Sequence, residues 1–144
     1  MGKIKINDLN EDIFNKSNKV IFMPVNRDIE SDVAGGDCSC IITLKGKVIL
    51  IDTGAAHSYS LIKDELLNNN VNKIDYVIIT HYHADHCENL SSLQADFDME
   101  NTIYYLCSHT DLFSFNEKAV LACIGTNTKY YPVNGSILIV DDLK

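Results

Sequence analysis

An α/β (or α+β) fold, a β-sheet covered by helices, is what this 144-residue sequence predicts, and three observations carry that expectation. Short runs rich in β-branched and apolar residues recur along the chain. They alternate with stretches whose apolar residues fall at helical spacing, an order that layers helices on a sheet. Hydrophobic residues make up 46% of the sequence, enough for one modest domain with a genuine core spanning residues 1–144.

Val20 to Val25 reads as a first strand closed by Pro24, and Cys38 to Leu44 as a second after the Gly35-Gly36 break. Lys45-Gly46-Lys47 is a short glycine-containing turn leading into Val48 to Asp52, so strands two and three are expected to form a hairpin. Tyr59 to Asn69 places Leu61, Ile62, Leu66 and Leu67 on one helical face and ends in an asparagine cluster. Ile74 to Thr80 is a buried strand by composition. Glu88 to Leu93 begins a short helix, Thr102 to Cys107 is a strand, and Leu112 to Ile124 is a helix with Gly125 as its C-cap. Lys129 to Pro132 and Ser136 to Val140 read as two further strands around an Asn134-Gly135 turn.

Twelve basic residues stand against twenty acidic ones, a formal charge of −8, which argues against a broad electrostatic grip on nucleic acid. The five cysteines, at 38, 40, 87, 107 and 123, show no zinc-ribbon spacing and fit reduced thiols in a cytoplasmic protein. Cys87 reads as a small buried apolar residue rather than a redox or metal-adjacent thiol. Nothing at the N-terminus resembles a signal peptide, and no apolar run approaches the roughly 20 residues of a membrane helix.

The most informative six residues are His81-Tyr82-His83-Ala84-Asp85-His86, which set three imidazoles and a carboxylate at the end of a strand. In an extended or tightly turning segment His81 and His83 project to one side and can grip one ion, while Asp85 and His86 point elsewhere. Two divalent cations roughly 3.5–4 Å apart could share such a loop. Imidazole with carboxylate suits Zn2+ first, with Mn2+, Fe or nickel as alternatives. Asp52, a carboxylate that ends an apolar strand and precedes Thr53-Gly54, is either a turn-former or an anchor that fixes imidazole tautomers.

Strand-Asp52-Thr53-Gly54, helix, strand Tyr76 to Thr80 and then the histidine motif resemble the metallo-β-lactamase superfamily, over about residues 20 to 140. Gly36-Asp37-Cys38, Ile49 to Gly54 and Ile74 to His81 look most like the hydrolase domain of competence-type DNA-uptake proteins. The resemblance implies an αβ/βα sandwich with metals at the edge between two sheets, of which this chain, short for the superfamily, supplies the N-terminal half. It implies that His81 and His83 bind a first metal and Asp85 and His86 a second, with one or two ions in all, and that Asp52 orients the motif loop. Asp85 would also orient the attacking water.

The superfamily takes further ligands, a His, a bridging Asp and a final His, from its second half, and these are not evident here. His109 comes early for such a ligand and reads as an exposed residue near a helix start. His57 reads as an ordinary loop histidine, and Asp141 and Asp142 as solvated chain-end residues.

The resemblance thus implies a metal-dependent hydrolase, expected to be zinc-dependent, that uses a metal-activated water on a small-molecule or phosphoester substrate. Nucleic acid stays open as a substrate, and a homo-oligomer or partner chain could complete the site. The alternative is a non-catalytic metal-binding or assembly module with an incomplete site. An iron-dependent oxidoreductase is disfavoured, because such relatives tend to carry Glu where His83 stands.

Overall fold

The computed structural model describes residues 18–23, 38–108, 114–125 and 130–133. Their strands form one six-stranded sheet in sequential order. The strands are β1 (Lys19–Phe22), β2 (Ser39–Ile42), β3 (Val48–Ile51), β4 (Tyr76–Ile79), β5 (Ile103–Cys107) and β6 (Tyr130–Val133). β1, β2 and β3 pair antiparallel, and the pairs β3–β4, β4–β5 and β5–β6 are parallel. The β2–β3 hairpin turns at Gly46, whose φ of +81° is the left-handed conformation that glycine adopts without steric cost.

Each parallel step needs a crossover, and helices supply them, two of them expected from the apolar spacing. A 3-10 turn (Ala56–Ser58) leads into α1 (Tyr59–Asn68), which joins β3 to β4. Two helices, α2 (Ala84–Cys87) and α3 (Leu90–Asp96), join β4 to β5, and α4 (Ser114–Ile124) lies between β5 and β6. Gly125, with φ +74° and its N–H donating to Leu121 O, ends α4 as the sequence suggests.

Two differences from the sequence reading stand out. The helix expected at Glu88 to Leu93 runs instead as Leu90–Asp96, and a separate one-turn helix forms inside the histidine motif itself. The strand expected over Ile74 to Thr80 is confined to Tyr76–Ile79. The second strand of the C-terminal pair, the Asn134-Gly135 turn, His109, Asp141 and Asp142 lie outside the described residues.

The strand registers sort side chains onto two faces. Cys40, Leu50, Val77 and Tyr104 lie in one cross-strand row, with Val48, Ile79 and Leu106 on the same side. All are buried and belong to one core with Ile62 and Leu66 of α1, Leu90 and Leu93 of α3, and Val120 and Ile124 of α4. The described helices thus cover one face, giving two layers: one αβ half of the sandwich that the resemblance implies. Among the described residues no helix is long and apolar enough to cross a membrane.

None of the five cysteines is in a disulfide bond. Burial pushes the Cys40 thiol up to about 12, so almost none of it is thiolate near neutral pH. Cys40 is therefore expected to resist iodoacetamide at pH 8 in the native protein and to react after denaturation. Rapid native modification, located by peptide mapping, would show that β2 opens readily.

Candidate metal centre

The site forms where the parallel strands β3 and β4 end side by side. Asp52 directly follows β3; its N–H donates to Ile78 O at 2.8 Å, and the residue is buried, 4% exposed. Its φ of +58° turns the chain sharply, a conformation that Asp tolerates better than most side chains. Gly54 follows with φ +73°, and a Cβ there would stand 2.6 Å from Ile62 Cδ1 in the core. The Asp52-Thr53-Gly54 turn therefore needs glycine for both conformation and space.

The carboxylate of Asp52 is an acceptor at the centre of a network. Thr80 N–H donates to Oδ1 at 2.7 Å, and the Thr80 hydroxyl donates to Oδ2 at 2.6 Å. His86 Nδ1 lies 2.9 Å from the same Oδ2. These contacts join residues 28 and 34 positions apart, so the carboxylate fixes both ends of the motif loop. Asp52 combines both roles considered from the sequence, turn-former and hydrogen-bonding anchor.

Proton counting assigns the tautomers. A carboxylate oxygen is acceptor-only, so His86 Nδ1 carries the hydrogen of its contact with Asp52. Nε2 is left as the lone-pair nitrogen of the neutral ring. The Thr80 hydroxyl spends its single hydrogen on Asp52, so its 3.0 Å contact with His81 Nδ1 requires the hydrogen to sit on that ring nitrogen. His81 Nε2 is then the acceptor facing His83 Nδ1 at 3.1 Å. Burial, reinforced by His86 and His83 nearby, lowers the pKa of His81, favouring the neutral, ligating form.

The three imidazoles form one cluster. His81 lies 4.0 Å from His86 and 4.6 Å from His83 between ring centroids. This corrects the expectation that His86 points away from the first pair. The one-turn helix Ala84–Cys87, with His86 N–H donating to His83 O at 3.0 Å, curls the chain back on itself. Asp85 Oδ2 is 3.8 Å from His86 Nε2, so His86 stands between two carboxylates. Ligand atoms of Asp52, His81 and His86 all lie within 4.8 Å of one another, a compact group of the kind that holds a metal ion.

Sequence reasoning missed the clasp behind this cluster. Thr53 N–H and Oγ1–H both donate to His86 O, at 2.7 and 3.2 Å. Asn89, buried at 2% exposure, donates from Nδ2 to Thr53 O and Ala55 O at 2.7 and 2.8 Å, while its N–H donates to Thr53 Oγ1. An asparagine three residues past the motif was the only available signal, and it resembles an ordinary turn residue. His57 is exposed on the 3-10 turn and outside the donor group. Cys87 is buried, its thiol donating to His83 O at 3.3 Å.

The profile of the metallo-beta-lactamase superfamily matches residues 33–105, just over half of the chain. No curated protein sequence gives a significant match. Among solved structures, one described as the crystal structure of a new diphosphatase from the PhnP family is similar, with a TM-score of 0.53 and 17% identity. The similarity covers 85% of this chain and 53% of that one, so the chain spans about half the length of this neighbour; at that identity the likeness is one of fold. The profile match, the parallel β3–β4 pair and the histidine motif at its end lead to one assignment: the chain belongs to the metallo-beta-lactamase superfamily.

Proposed function

We propose that this chain is the metal-binding part of a divalent-metal hydrolase acting on phosphoester-type bonds. The observation that carries the reading is the hydrogen-bond arrangement around Asp52, which leaves Nε2 as the lone-pair nitrogen on both His81 and His86, two rings whose centroids lie 4.0 Å apart. Neutral imidazoles backed by a carboxylate and a hydroxyl suit a borderline cation such as Zn2+, with Mn2+ or Fe also accommodated by the same donor types.

In this reading His81, His83, Asp85 and His86 hold the metal, and Asp52 fixes the rings from behind through Thr80 and His86. A divalent cation bound there would supply Lewis acidity, withdrawing charge from the bond to be cleaved and lowering the pKa of a nearby water. Asp85, partly exposed beside His86, would accept a hydrogen bond from that water and orient it. Support for a phosphoester substrate comes from the diphosphatase neighbour. The narrower resemblance to competence-type hydrolase domains finds no match among the comparisons.

A second reading, a metal-binding module without turnover, is favoured by one observation: the described residues gather one compact donor group. Elemental analysis and hydrolysis of bis(p-nitrophenyl) phosphate separate the two. Two equivalents of metal and chelator-sensitive turnover are expected for the enzyme, and His83→Ala should then lower metal affinity at least about tenfold. A well-folded chain that binds zinc but hydrolyses neither this phosphodiester nor a pyrophosphate would leave the module reading.

A further inference from the structure

The Asp52 network holds His81, through Thr80, and His86; His83 is held through the backbone on either side of it. With φ −60° and ψ 141°, the direction in which His83 carries its ring is set by how the peptide planes before and after it are turned. The one-turn helix fixes the following plane: His83 O accepts from His86 N–H at 3.0 Å and from the Cys87 thiol at 3.3 Å. The preceding plane is fixed from outside the motif. Tyr82 O accepts a hydrogen bond of 2.8 Å from Asn116 Nδ2, on α4 and 34 residues further along the chain. The Tyr82 side chain is turned into the core, and its hydroxyl donates to Cys107 O at the end of β5 at 2.9 Å. Asparagine is a poorer helix former than alanine, because its amide competes for backbone groups. Asn116, the third residue of α4 and partly buried, gives that amide to the motif.

We propose, resting on the metal reading above, that Asn116 is a positioning residue: by holding the Tyr82–His83 peptide plane it sets the direction from which the His83 ring meets a divalent cation. His83 Nδ1 lies 3.1 Å from His81 Nε2, with the two rings edge to face, so the pair already stands at the spacing of groups that share one ion. A metal site needs its donors held to about 0.5 Å and 10–20°, and a ring at the end of a side chain magnifies any turn of the plane that carries it. Asp52 secures two of the three imidazoles from beneath the loop, and α4 secures the third from its flank.

A double-mutant cycle on zinc affinity, titrated on the 144-residue chain against a competing chelator, tests it. Asn116→Ala should lower the affinity by about three- to tenfold, the low end for a group that touches no ligand side chain. In a His83→Ala background it should lose nothing further, because the ring it places is gone. Alanine favours the helix, so the far-UV circular dichroism should be unchanged. Asn116→Asp, when ionised, sets an acceptor against Tyr82 O and should cost at least as much. Unchanged affinity in both single variants overturns the proposal. So does an equal loss with and without His83, which would mean that α4 supports the whole loop and not this ring. Nuclear magnetic resonance of the metal-free chain separates these outcomes from a failure of the metal reading: the His83 ring resonances should shift in Asn116→Ala and those of His86 should stay. A parent chain that binds no zinc overturns the metal reading and the role at an ion with it; His83 ring resonances that do not move overturn the placing itself, whatever zinc does.

Discussion

Asp52→Asn is expected to lower divalent-metal affinity by about 10- to 100-fold while leaving the protein folded. Asparagine keeps the shape and accepts the left-handed backbone at φ +58°, so the turn itself survives. What changes is the polarity of one atom. Three donors converge on this carboxylate: the Thr80 N–H, the Thr80 hydroxyl and the His86 Nδ1–H. With the amide nitrogen at the Oδ2 position, its hydrogens face the hydroxyl and the imidazole N–H, donor against donor. With the amide flipped, Thr80 N–H meets the same conflict. In the first orientation His86 loses its acceptor, and the tautomer that leaves its Nε2 as the lone-pair nitrogen is no longer enforced; in the second the conflict falls on the backbone where the motif loop leaves β4. Titration with zinc under a competing chelator reads the affinity, and circular dichroism reads the fold. Unchanged affinity with only a lower melting temperature would mean that Asp52 shapes the turn and leaves the rings alone.

The strands and the crossover helices were legible because each rests on a local pattern. β-branched runs mark β2, β3 and β4, apolar spacing marks α1, and Gly46 marks the hairpin turn. The motif itself was visible for the same reason, as four ligand-type residues in six. Its internal geometry was not. Whether His86 faces His81 depends on the one-turn helix at Ala84–Cys87, too short to leave a periodicity, and on a carboxylate 34 residues upstream. That partnership follows from the parallel β3–β4 register, in which Ile51 pairs with Ile78 and so sets Asp52 beside the end of β4. Parallel pairing of distant strands is a tertiary choice that no window of sequence contains.

Asn89→Ala should destabilise the protein by about 1–3 kcal/mol, the larger part of it through the Thr53 carbonyl rather than through the asparagine. Asn89 Nδ2 donates to both Thr53 O and Ala55 O, and Thr53 and Ala55 are themselves buried; Ala55 O also accepts from Ser58 N–H at 3.0 Å, so Thr53 O is the carbonyl that loses its donor. A buried acceptor left dry without a donor costs about 1–3 kcal/mol, and a methyl group cannot supply the hydrogen. A water entering the space would recover part of the loss, which sets the lower end of the range. The effect should also reach the metal. Thr53 clasps His86 through its N–H and hydroxyl, so loosening the 53–55 segment loosens the ring that Asp52 holds from the other side. Thermal or urea unfolding and zinc affinity, measured on one preparation, should therefore fall together. Asn89→Asp supplies the control: it has nearly the same volume but, when ionised, sets an acceptor against both carbonyls, and should be at least as damaging as alanine. If Asn89→Ala cost less than about 1 kcal/mol, the Thr53 carbonyl would have to be satisfied by another donor, and the clasp would be a consequence of the fold rather than one of its supports.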